Sequence, residues 1–145
     1  MISVSISGLE AVRAEFARLD DALRNKALAR TAVDVERLVE QAADKHTKTG
    51  ALVSSVFSKR INASTYEIGH DLQRAPHAVF VHWGTKPHVI KPKNRKVLRW
   101  PSGGEFVFAR AVNHPGSKPD KWIERAAAQV PRIFNDHIQS LIRKA

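Results

Sequence analysis

The chain has 145 residues, no cysteine, and 24 Lys and Arg against 14 Asp and Glu, a formal charge of +10 with a pI near 10.4. That length is expected to form one domain, residues 1–145, able to bury roughly two-thirds of its unfolded surface. Lacking thiols, it offers neither a disulfide frame nor a thiolate metal site, and it suits a reducing compartment. No apolar run approaches the ~18 residues of a membrane span, and Met1-Ile2-Ser3-Val4 lacks the basic and apolar regions of a signal peptide. The expectation is a soluble protein used inside the cell, without membrane contact.

In chain order, Ile2, Val4 and Ile6 alternate with Ser3, Ser5 and Ser7, which predicts a short half-buried strand ended by Gly8. Leu9, Val12, Phe16, Leu19 and Leu23 follow at spacings of three and four, one helical stripe. A second stripe, Leu28, Ala32, Val35, Val39 and Ala42, is out of register with it by about two positions. Either two helices meet near Asn25-Lys26 or one long helix rotates its buried face; packing on a sheet fits better than a coiled coil. Thr49 to Val56 reads as a single helical turn with Thr49 as N-cap. Phe57 to Ile61 and Tyr66 to Ile68 form a hairpin about the turn Asn62-Ala63-Ser64-Thr65.

Ala75 to Trp83 predicts a short helix burying Val79, Phe80 and Trp83. Val89-Ile90 and Val97 to Trp100 are strand-like, joined by a basic loop from Lys91 to Lys96. Pro101-Ser102-Gly103-Gly104 then turns the chain into Glu105 to Val112, with Phe106, Phe108 and Val112 expected on one face. Ser117 and Asp120 fit a capping box loosened by Asp in place of Glu. The closing helix runs from Ile123 to Ile142 and is expected to kink or restart at Pro131. The order predicts an α+β fold: a short strand and helical region, a central antiparallel sheet with an extended basic loop, and a C-terminal amphipathic helix packed on it.

The central stretch echoes itself. His82-Trp83-Gly84-Thr85-Lys86-Pro87 returns 32 positions later as His114-Pro115-Gly116-Ser117-Lys118-Pro119. Gly before a small hydroxyl residue, with Pro two places on, is turn chemistry, so Gly84, Thr85, Pro115, Gly116 and Pro119 are candidate turn formers. Two similar loops at the ends of a sheet are the plain structural reading. From Lys86 to Arg99 there are six basic residues, Lys86, Lys91, Lys93, Arg95, Lys96 and Arg99, and no acidic one. Such a patch attracts phosphate or an acidic protein surface, or is simply a solvated loop.

Catalytic patterns are wanting. His77, His82, His88 and His114 could converge on a metal, but no HExxH or paired carboxylate accompanies them. No Ser occupies a Gly-x-Ser-x-Gly elbow, and neither phosphate-loop motif is present. The expectation is a non-enzymatic protein without cofactor or metal. A basic loop flanked by Trp83 and Trp100 suits a nucleic-acid-binding module, although no established nucleic-acid-binding motif occurs.

Four segments in order resemble the tail-completion, or neck, proteins of long-tailed lambda-like phages. They are Thr49 to Val56, Ala78 to Thr85, His88 to Lys93, and His114 to Pro119 leading into Trp122-Ile123-Glu124-Arg125-Ala126. His77 stands where that family commonly has Tyr, and Trp83 where it has Phe or a smaller residue. The resemblance implies a virion structural protein at the head–tail junction, made in the host cytoplasm. It would form a homo-oligomeric ring with other neck and tail proteins as partners, with any DNA contact secondary. Ring assembly needs one patch to meet a different one on the neighbour, which the basic loop could supply. A small basic nucleic-acid-binding module is the alternative.

Overall fold

The computed structural model describes residues 3–5, 21–46 and 48–144. The fold is α+β. In chain order it runs β1 (Ser3–Ser5), α1 (Asp21–Asp44), α2 (Ala51–Ser54), β2 (Val56–Asn62), β3 (Thr65–His70), α3 (Ala78–Trp83), β4 (His88–Ile90), β5 (Leu98–Ser102), β6 (Glu105–Ala109), β7 (Val112–His114), α4 (Trp122–Ala127) and α5 (Val130–Ile142). The Leu9 to Leu19 part of the first predicted stripe, like Ile2, Ile6 and Gly8, lies outside the described residues.

α1 runs unbroken through Asn25-Lys26, so no helix junction sits there. Leu28, Ala32, Val35 and Val39 of its second stripe are buried as expected, whereas Ala42 is half-buried and Ala43 takes the inner place; Thr31 joins them because its hydroxyl is satisfied by the Ala27 carbonyl at 2.8 Å. α1 packs on α4, α5 and the antiparallel sheet β1-β3-β2, so it covers both a sheet and helices. α5 contributes Val130, Phe134, Ile138 and Leu141, and His137 holds Asp34 of α1 at 2.7 Å. Pro131 lies in the first turn of α5, so the chain restarts there and the missing N–H costs nothing.

Four local expectations need correction. Thr49 is not the cap of α2: Gly50, at φ 78°, takes that place because its carbonyl accepts the first helical bond from Ser54. Ser117 and Asp120 do not form a capping box, since the Ser117 N–H and hydroxyl are used on Thr85 and the Asp120 carboxylate on His46 and Arg125. α3 turns Ala78 and His82 inward, one turn apart, and leaves Phe80 and Trp83 more than half exposed. Val112 shares no strand with Phe106 and Phe108; it belongs to β7 and pairs with Ile90 of β4.

That last pairing reveals the central architecture. β4 with β7 and β5 with β6 form one nested antiparallel ribbon, running from Thr85–Ser117 at its root to Gly103-Gly104 at its tip. Between the paired segments, residues 91–97 on one side face only Arg110 and Ala111 on the other. The basic loop is therefore a bulge in the ribbon. At the root, Thr85 and Ser117 exchange both backbone hydrogen bonds at 3.0 Å, and their hydroxyls meet at 3.1 Å.

The sequence echo is this crossing. The two segments face one another about a local two-fold, each Gly lying against the other's hydroxyl-Lys-Pro run. Gly84 has φ 72° and Gly116 φ 84°. A Cβ on Gly84 would lie 2.5 Å from the Ser117 carbonyl oxygen, and one on Gly116 would be closer still to that of Thr85. Gly84→Ala and Gly116→Ala should each destabilise the protein in urea by about 3 kcal/mol or more, from strain plus backbone overlap. Gly103→Ala, at φ 60° in open space, should cost only about 1 kcal/mol. Equal losses for all three would show that the crossing imposes no constraint.

Candidate interaction surface

The six basic residues singled out in the sequence all lie on the ribbon. Lys86 follows the crossing; Lys91, Lys93, Arg95 and Lys96 stand on the bulge; Arg99 is on β5; and all are exposed. With Arg110 and Lys118, residues 86–118 hold eight of the 24 basic residues and, in Glu105, one of the 14 acidic. Most of the net charge thus sits on this one element. Gly84, Thr85, Pro115, Gly116 and Pro119 gather at its root instead, as structural residues.

The hairpin is apolar on both faces. Register places Trp100 opposite Val107 on one face, and Arg99 opposite Phe108 with Pro101 opposite Phe106 on the other. Arg99 lays its guanidinium 3.6 Å over the Phe106 ring. Trp83 belongs elsewhere: it ends α3, where Lys121 approaches its ring at 4.9 Å. Among the described residues, β4 and β7 contact chiefly one another, as do β5 and β6, and none makes extended contact with the body.

The four candidate histidines do not converge. His77 caps α3 at the surface, and His82 is buried. His88 and His114 pair across β4 and β7 with ring centres 5.0 Å apart, but they are set differently. His88 Nδ1 donates to the Lys86 carbonyl at 2.8 Å, whereas His114 Nδ1 accepts the Gly116 N–H at 3.0 Å. His114 therefore carries its proton on Nε2, the wrong tautomer for ligating a metal there.

Sequence reasoning missed a buried polar cluster around Trp122. That ring, 1% exposed, is flanked by His46 stacked at 5.5 Å and by His70 and His82 edge-on at 5.6 and 4.9 Å. The Trp122 indole N–H donates to His70 Nε2 at 3.1 Å, which fixes the His70 proton on Nδ1. That N–H donates to Ser55 Oγ at 2.8 Å, and Ser55 in turn donates to the Leu52 carbonyl at 2.7 Å. Ser55 and His70, with Asp71, line a cleft of about 460 Å³. Despite its Ser and His, the relay runs the wrong way for nucleophile activation: the imidazole donates its Nδ1–H to the serine, and its one lone pair, on Nε2, is taken by the Trp122 N–H. Nothing in the local sequence signals this, because the partners are 15 and 52 residues apart.

Burial pushes His70 down to about 4, and the nearby charges of His82 and His77 act the same way against the bond toward Leu52. Burial likewise lowers His82 although Glu124 lies 2.6 Å from its Nε2 and opposes the shift. Among the described residues its Nδ1 has no partner, which a neutral ring tolerates as an idle acceptor but a charged one would suffer as an orphaned donor. A neutral-only buried histidine binds its proton more readily unfolded. Its contribution is therefore complete above pH 6.5, is lost as pH falls toward about 4, and changes little below. Across that window stability should drop by on the order of 3 kcal/mol from His70 alone. His70→Gln should flatten the dependence in urea melts at stepped pH. A serine-directed fluorophosphonate should leave Ser55 unlabelled.

No protein-family sequence model, curated protein or solved structure matches this chain. Among the described residues, no helix is long and apolar enough to cross a membrane.

Proposed function

We propose that this chain is a non-enzymatic structural protein of a phage virion, acting at the head–tail junction and assembling through its basic ribbon. The observation that carries the reading is the ribbon: strongly basic, apolar on both faces and without extended contact to the described residues of its own body. Exposed apolar surface on that scale marks a contact surface. The four sequence segments that resemble neck proteins supply the virion context. They map onto α2, onto α3 with the crossing, onto β4 with the start of the bulge, and onto β7 with the crossing and α4. The direction of the Ser55–His70 relay speaks for a structural rather than a hydrolytic role.

Nucleic-acid binding is the second reading, favoured by the eight cations on one element. Replacing Lys91, Lys93, Arg95 and Lys96 by Ser should leave the melting temperature nearly unchanged, since exposed charges contribute little to folding. The same variant should fail to complement a phage deleted for this gene, which would accumulate unjoined heads and tails. Normal joining would sink the proposal. DNA affinity that survives ~0.2 M salt and disappears in the variant would favour the second reading.

A further inference from the structure

A two-stranded ribbon is marginal in water by itself. Here Trp100 and Val107 on one face are 37% and 39% exposed, and Phe106 and Phe108 on the other 52% and 59%. Single-stranded nucleic acid is held on one face where cations and rings interleave. On this hairpin only Arg99 shares a face with aromatic rings, and its guanidinium already lies on Phe106. Two opposed apolar faces suit insertion against protein.

The body carries the complementary charge. Glu36, Glu40 and Asp44 recur at every fourth position of α1 and so share one face, with Val33, 53% exposed, beside them. Like charges at this spacing weaken a helix. Among the described residues none of the three has an ion-pair partner, whereas Asp34 on the same helix has Arg37 and His137. Burial, and then the neighbouring Glu40, holds the Glu36 carboxyl above its usual range. The stripe is ~12 Å long from Glu36 to Asp44. Lys91 to Lys96 spans at most ~17 Å of chain, so the two charge rows are commensurate. The ribbon makes no extended contact with α1 of its own chain.

We propose that the ribbon of one copy docks on α1 of a second copy, its basic bulge along the Glu36–Glu40–Asp44 stripe and its apolar hairpin against the neighbour's surface around Val33. Because the two patches differ, a single such contact leaves one free ribbon and one free stripe for further copies. It deepens the assembly reading above by naming the partner.

Sedimentation velocity of the purified chain over a salt series tests it. Self-association is expected at low salt and should weaken as salt rises. Reversing the bulge (Lys91→Glu, Lys93→Glu, Arg95→Glu, Lys96→Glu) should give monomers, as should reversing the stripe (Glu36→Lys, Glu40→Lys, Asp44→Lys). Mixing the two variants should restore association, because each supplies the charge that the other's patch now needs. Trp100→Ser with Phe106→Ser should also give monomers, with the helical circular dichroism of the body retained. If a multiple reversal unfolds, the single pair Lys93→Glu and Glu40→Lys repeats the mixing test. A wild-type chain that stays monomeric at low salt, or variants that fail to associate on mixing, would overturn the proposal. So would a labelled single-stranded oligonucleotide bound by a monomeric wild type and released by the bulge variant. Association that behaves as expected alongside normal joining by the bulge-to-Ser variant would uphold this contact and remove the virion reading.

Discussion

One indole N–H orders the interior. Trp122 is buried and its nitrogen can only donate, so an acceptor must face it. His70 supplies that acceptor, and every proton beyond is then determined: His70 to Ser55, Ser55 to Leu52. The chain of bonds ties α4 to the end of β3 and to the turn of α2. His46 and Asp120 close the other side of the ring, with the Asp120 carboxyl held below its usual range by His46 and then by Arg125. Apolar packing of α1 against α4, α5 and the sheet forms the core, while this polar cluster fixes how the elements meet.

Above that interior the chain builds something of opposite character. Among the described residues the ribbon buries little and pairs only with itself, and it collects most of the excess positive charge. It stays attached because α3 and α4 both anchor in the body next to the crossing, and Asp120 N–H bonds the Val81 carbonyl at 3.2 Å. The body is held by apolar packing and by the bonds around Trp122. The ribbon instead has apolar side chains and cations in search of partners.

The sequence made the helices and both hairpins legible, because periodicity and turn chemistry are local. Val35 and Val39 announce the buried face of α1, and Gly103-Gly104 the tip of the ribbon. Even the crossing left a trace in the repeat of His-x-Gly-(Thr/Ser)-Lys-Pro, since two segments paired about a local two-fold meet the same steric demands. What local pattern could not convey was pairing at a distance. Val112 reads as a continuation of Phe106 and Phe108, yet Ala109 ends their strand and Val112 returns to Ile90. Phe80 and Trp83 look like core by composition, but small Ala78 and partnered His82 take the inner face of α3. The Trp122 cluster was invisible for the same reason: each of its histidines looks alone in sequence.

The crossing also determines how the molecule would carry a mechanical load. Both strands of the ribbon leave the body side by side through Thr85 and Ser117, so a pull on the tip stretches them in the same direction. Their mutual hydrogen bonds are then neither peeled nor sheared. The tension passes along the covalent chain into the end of α3, where His82 packs on Trp122, and into Trp122 itself at the start of α4. A tug on the arm is thus delivered to the buried cluster around Trp122, as a rope is tied to a cleat and not to the planking.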